Sequence, residues 1–131
     1  MLKAVPKKKK QQSLAAITKR LDIVVSKIVR IRDKRCVTCG STDSPQAGHF
    51  ESRGHYGTRW DLSNVHQQCA SCNLYLKGNM VEYYKFIQKT YGEKYPDTLH
   101  ELSREPAPNR GERLLLLDGL NARLKELEAQ Q

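Results

Sequence analysis

The sequence predicts a small α+β fold in which a core of short strands, stapled by cysteines, is flanked by N-terminal and C-terminal helices. Three observations predict it. Two Cys-x-x-Cys pairs, Cys36/Cys39 and Cys69/Cys72, bracket a stretch of short apolar runs and turn formers. Apolar residues recur at Leu14, Ile17, Leu21, Val24, Ile28 and Ile31, in steps of three and four that mark an amphipathic helix. Leu117, Leu120, Leu124 and Leu127 keep the same spacing near the end of the chain.

Taken in order, residues 1–12 read as a disordered basic lead-in and residues 13–35 as a basic amphipathic helix, with Ser13 as its N-cap. Residues 36–103 form the cysteine-stapled core, opening on a knuckle and turn rich in breakers (Gly40, Ser41, Asp43, Ser44, Pro45). A short strand is expected over Gln46–Phe50, and a second strand or loop edge over Thr58–Leu62. A helix is expected from Asn73 to about Thr90, burying Leu74, Leu76, Val81, Tyr84 and Ile87 and weakened locally by Gly78. A short helix follows over 96–103, a linker over 104–111, and a leucine-rich helix over 112–131. That last spacing suits packing on the body or pairing with a second chain as a homodimer. With 38% apolar residues, one Trp and two Phe in 131 residues, the core is marginal and a staple would add needed stability.

The charge is uneven. Residues 1–35 hold 12 of the 23 Lys and Arg and two of the 14 acids, a balance of +10, and the remainder is close to neutral at −1. Such an arm suits a phosphate backbone, where each neutralised phosphate releases counterions. Lys27, Arg30, Arg32, Lys34 and Arg35 are the candidate DNA contacts on and just after the helix; a merely solvated face is the plain alternative. No run approaches the ~20 apolar residues of a membrane span. The N-terminal lysines lack an apolar region behind them, so a cytoplasmic location is expected. There thiols stay reduced, and paired cysteines favour a metal over two disulfides.

Four thiolates from two knuckles suit tetrahedral zinc and leave no open position, so that zinc would be structural. The residues around it carry a more specific pattern: Cys36-Val-Thr-Cys-Gly40, Ala47-Gly-His-Phe50, Ser52-Arg-Gly54, Arg59-Trp-Asp61, Asn64-Val-His-Gln-Gln-Cys69 and Cys72-Asn73. This His…Asn…Cys-x-x-Cys-Asn order resembles the HNH, or ββα-metal, nuclease superfamily. More closely it resembles the lambdoid-phage NinG (Rap) recombination nucleases, over roughly residues 20–103.

The resemblance implies a phage-encoded endonuclease that hydrolyses DNA phosphodiesters with a divalent ion, usually Mg²⁺, in branched recombination intermediates such as Holliday junctions and flaps. It implies His49 as general base, Asn73 as ligand of the catalytic ion, and Asn64 as the residue that ties the loop and aims His49. A recombinase partner would fit the same resemblance, and no residue names one. Taken singly, His49 reads as an ordinary hydrogen-bonded histidine, Asn64 as a turn former and Asn73 as a helix cap. Many HNH enzymes carry an acidic ligand just before the base, where this chain has Gly48. Asp61, His66, His55 and Glu51 are the candidate replacements, and His55 could instead contact substrate. Arg53 and Arg59 are candidate phosphate clamps. Tyr56 and Trp60 could stack on a base, although Trp60 reads better as core. Two rival readings stay open: a non-catalytic, zinc-stabilised DNA-binding module, and an HNH nuclease that nicks ordinary duplex.

Overall fold

The computed structural model describes residues 11–131. The expected lead-in lies almost wholly outside the described residues. Helix α1 spans Leu14–Asp33, and its Ser13 cap accepts a hydrogen bond from the Ala16 amide at 3.1 Å. Ile17, Leu21, Val24, Val25, Ile28 and Val29 are buried along one stripe. The helix stops at Lys34, whose backbone turns left-handed (φ 66°) and whose N–H caps the Arg30 carbonyl.

Strands β1 (Pro45–His49) and β2 (Val65–Cys69) form a two-stranded antiparallel sheet, with Gly48 opposite His66 and His49 opposite Val65. Of the two alternatives for Thr58–Leu62, strand or loop edge, the loop is found, as a succession of turns, and the partner of β1 is the fully buried run that ends at Cys69. The expected helix from Asn73 also differs. A π-helical turn covers Ser71–Tyr75, the backbone goes left-handed at Lys77, Gly78 and Asn79, and α2 begins only at Met80 and runs to Tyr91. The cause is local: the Gly78 N–H reaches back 2.8 Å to the Cys72 carbonyl, a closure that a continuous helix does not allow. Ile87 is buried as expected and Tyr83 joins it, but Leu74, Leu76, Val81 and Tyr84 are exposed.

Helices α3 (Tyr95–Ser103) and α4 (Arg110–Ala129) complete the chain, α4 opening with an Asn109/Glu112 capping box. Thr18 meets Arg113 and Val24 meets Leu117, so α4 lies alongside α1 in parallel. Leu117 and Leu120 are buried in the main core with α1, Trp60 and Val65, so the leucine spacing is used within the chain. A second cluster holds Tyr83, Ile87 and Leu99. Among the described residues no helix is long and apolar enough to cross a membrane.

β2 is clamped from both sides. Arg32 donates to the Leu62 and Val65 carbonyls, both at 2.8 Å, while Asp33 accepts from the Gln67 amide at 2.8 Å. On the other side, the Tyr83 hydroxyl donates to the Gly48 carbonyl at 2.7 Å. It must therefore accept from His66 Nδ1–H at 3.0 Å, which leaves His66 Nε2 bare to accept from the Tyr91 hydroxyl at 2.7 Å. His66 is thus a buried, neutral strut.

Burial, with Arg32 nearby, holds the His66 pKa down at about 3. Because the folded state resists a proton that the unfolded chain accepts near pH 6.5, this contribution is complete above that pH and declines as pH falls towards 3. Its loss amounts to about 2 kcal/mol between about pH 7 and about pH 5. Urea unfolding at the two pH values, with zinc retention checked, should show that drop in wild type and a smaller one in His66→Gln. Equal drops in both proteins would show that His66 is not the sensor.

Candidate functional site

The cysteine cluster is assembled by the knuckle after α1 and by the end of β2. The Sγ atoms of Cys36, Cys39, Cys69 and Cys72 all lie within 4.8 Å of one another, and all four thiols are free. Tetrahedral zinc with bonds of about 2.3 Å places its sulfurs about 3.8 Å apart, so the donor set and spacing fit that ion. Hydrogen bonds to sulfur are already in place. Thr38 Oγ1 sits 3.2 Å from Cys36 Sγ, the Cys72 amide 3.4 Å from Cys69 Sγ, and Asn79 Nδ2 3.6 Å from Cys72 Sγ. Such donors stabilise thiolate charge and orient the ligands.

Beside this cluster lies a cleft of about 500 Å³ whose walls include His49, Asn73, Arg53, Arg59, Asp22 and Lys77. His49 ends β1. Its Nε2 lies 2.9 Å from the Arg59 carbonyl, which can only accept, so Nε2 carries the hydrogen and Nδ1 keeps its lone pair. Burial lowers the His49 pKa, which keeps the ring neutral at ordinary pH. Asn64 is wholly buried behind it. Its Oδ1 accepts from the Glu51 amide at 2.7 Å, and its Nδ2 donates to the Glu51 and Thr58 carbonyls, both at 3.1 Å. These bonds pin both ends of the loop that presents the Arg59 carbonyl to His49. Asn73 sits in the π turn with Nδ2 donating to Gln46 Oε1 at 2.9 Å, which leaves its Oδ1 without a partner among the described residues.

Asp22 was not legible as a site residue. It projects from α1 and accepts four hydrogen bonds: from Arg59 Nε and Nη2 (3.0 and 2.7 Å), Arg53 Nη2 (2.8 Å) and Trp60 Nε1 (2.8 Å). Burial alone would raise its pKa, but those donors outweigh it and hold the carboxyl at about 2. The carboxylate thus persists down to strongly acidic pH and fixes the two arginines at the rim. The one signal in the sequence was an acid set among the apolar residues Leu21, Ile23, Val24 and Val25. Lys77 sits in the turn that interrupts the helix expected from Asn73, so its place on the cleft wall has no local signature in the sequence.

Other candidates fall elsewhere. His66, expected among the tentative metal ligands, is corrected to a structural residue because both ring nitrogens are bound to tyrosine hydroxyls. Asp61 Oδ1 accepts from the Ser63 amide and hydroxyl at 2.8 and 2.6 Å, and the residue borders a different groove, beside Pro106. His55 is exposed in the loop and does not line the cleft, and Glu51 Oε1 meets His100. Arg32 is corrected from a DNA contact to a clamp on β2. Lys27, Arg30 and Lys34 border the groove beside the end of α4, away from His49, and Arg35 is exposed. Trp60 is core at 3% exposure, and Tyr56 packs edge-on against it, with Arg59 and Arg113 stacked over both rings.

The acid missing at position 48 has a steric reason. A Cβ on Gly48 would collide with Gln68 Oε1 and lie 2.7 Å from Gln68 Cδ. Gln68 cannot swing away freely, because its Nε2 donates to the Gly78 carbonyl at 2.7 Å and to Thr38 Oγ1 at 3.2 Å. Gly48→Ala should therefore destabilise the fold by about 2 kcal/mol in urea unfolding. A neutral substitution would mean that the glutamine relocates without cost.

A short antiparallel sheet, four clustered cysteines that could hold a metal ion and a basic cleft holding an anchored histidine define a small α+β protein. A family model described as "Bacteriophage Lambda NinG protein" matches residues 2–129, and the chain belongs to that family. It is 34% identical over 73 residues to "Protein ninG" of Escherichia phage 933W, covering 53% of this chain and 36% of the relative. It is 40% identical over 57 residues to "Protein ninG" of Salmonella phage P22, covering 41% of this chain and 28% of that protein. It is 30% identical over 101 residues to "Protein ninG" of Enterobacteria phage H19B, covering 75% of this chain and 50% of that protein. The chain thus spans half or less of the length of these relatives. No solved structure matches it.

Proposed function

We propose that this protein is a metal-dependent DNA endonuclease of the HNH type, acting on branched recombination intermediates such as Holliday junctions and flaps. The observation that carries the reading is the state of His49. Its ring is tautomerically fixed by the Arg59 carbonyl, held neutral by burial, and set in a cleft with two arginines and a lysine. A neutral imidazole with a bare Nδ1 can take the proton from a water attacking phosphorus. Arg53 and Lys77 supply positive charge for the phosphate, with Arg59 held in place by Asp22. The order β1, loop, β2, π turn supports the ββα-metal reading, and the likeness to NinG (Rap) nucleases supports the branched substrate.

Asn73 Oδ1, without a partner among the described residues, would help hold a divalent ion, together with water and the substrate phosphate, as suits Mg²⁺. Such an ion, when bound, supplies charge stabilisation at the phosphate and the leaving 3′ oxygen.

A second reading, a zinc-stapled DNA binder without catalysis, draws on one specific observation. Position 48 has no room for an acid, and all the hydrogen bonding of Asp22 is spent on Arg53, Arg59 and Trp60. Incubating the purified zinc-loaded protein with labelled four-way junction, flap, duplex and single strand, with and without added Mg²⁺, separates the two. Mg²⁺-dependent cutting that favours the junction or flap supports the nuclease. Equal nicking of linear duplex would move the substrate to ordinary DNA. Binding without cutting under any condition would leave the binder.

A further inference from the structure

The segment after the last cysteine is built unlike a surface turn. Leu74 is 59% exposed, Tyr75 83% and Leu76 55%, with Met80 and Val81 exposed beside them. Contiguous exposed apolar side chains of this size mark a contact surface. The segment is also braced. The Leu76 amide reaches the Ser71 carbonyl at 2.9 Å, the Gly78 amide the Cys72 carbonyl at 2.8 Å, and Gln68 holds the Gly78 carbonyl from below. Its base is thus tied to the cysteine cluster, so the tip is presented on a firm support.

We infer that Leu74, Tyr75 and Leu76 form an apolar wedge that enters DNA at a branch or gap, with Tyr75 stacking on an unpaired base beside the phosphate held in the cleft. Two observations choose nucleic acid as the occupant. Leu74 and Lys77 are themselves walls of the cleft that holds His49 and Arg53, so wedge and cleft share an edge. The segment from Ala70 to Val81 contains a lysine and no acid, which complements a polyanion. A base has a π-face whatever its identity, so stacking gives shape selectivity without sequence selectivity. An intact duplex must first be unstacked to admit the wedge, whereas a junction or gap already offers a splayed base. This gives the branched-substrate preference a physical source in the chain.

The inference rests on the nuclease reading, and its test separates the two. Binding of zinc-loaded wild type, Tyr75→Ala and Tyr75→Phe to a gapped or four-way DNA carrying 2-aminopurine at the branch is compared with binding to intact duplex. Tyr75→Ala is expected to lose roughly tenfold in affinity on branched DNA only and to abolish the fluorescence change, while Tyr75→Phe keeps both. If Tyr75→Ala matches wild type on both DNAs while His49-dependent cleavage persists, the wedge is overturned and the nuclease stands. A concentration-dependent dimer that Tyr75→Ala dissolves would overturn it in favour of self-association. If wild type binds no DNA, the nuclease reading fails and takes the wedge with it.

Discussion

His49→Ala is expected to lower the rate of phosphodiester cleavage by about 10²–10⁴-fold while leaving DNA affinity and zinc content close to wild type. The side chain removed is, among the described residues that line the cleft, the imidazole, whose basic nitrogen burial keeps unprotonated. Its neighbours Arg53, Arg59 and Lys77 line the same cleft and supply positive charge. Truncation also leaves the Arg59 carbonyl without the ring N–H donor it had at 2.9 Å, so a modest loss of stability should accompany the loss of rate. His49→Gln keeps a donor for that carbonyl but no base, and should recover stability without activity. The rate of wild type should rise as pH climbs to the lowered pKa of His49 and then level off below neutrality, because burial favours the uncharged ring. Cleavage that survives His49→Ala would remove the histidine from the chemistry and with it the proposed mechanism.

The second large effect concerns the cysteine cluster. Structural zinc in small modules contributes about 10–16 kcal/mol to folding. The whole margin of a domain is about 5–15 kcal/mol. Chelating the metal, or replacing Cys72 with serine, should therefore unfold the region from the first knuckle to the start of α2, and DNA binding should go with it. Hydrogen exchange would show lost protection over residues 36–79, while α1 and α4, joined through Leu117 and Leu120, keep more of theirs. A protein that keeps its thermal midpoint and its exchange pattern after complete zinc removal would show that the thiols are not a staple.

Much of this architecture was readable from residue order. The α1 stripe, its Ser13 cap and the first strand follow from local period and capping chemistry, which need no tertiary information. The four thiols met because the knuckle spacing leaves them little freedom once β1 and β2 pair. Three features were hidden for physical reasons. β2 is buried on every residue, so its Val-His-Gln-Gln-Cys run shows none of the alternation that betrays a half-exposed strand. The helix break at Lys77–Asn79 is closed locally by the Gly78 N–H on the Cys72 carbonyl and braced by Gln68 on the Gly78 carbonyl, and a helical period in the sequence encodes neither contact. Asp22 lies 37 residues from Arg59, and only folding shows that an acid on one helix fixes a base on a distant loop. His66 misled for the opposite reason: a histidine close to a cysteine pair has ligand chemistry, but the tyrosines that occupy its nitrogens sit 17 and 25 residues downstream.

The amide of Gln68, folded over the strand position just ahead of His49, also bears on how this cleft could be redesigned or could have diverged. A carboxylate introduced there alone would be expelled by its cross-sheet neighbour and would damage the turn behind it. Trimming residue 68 to alanine while enlarging residue 48 to aspartate opens the volume and fills it in one exchange. The two sites should therefore change hands together or not at all.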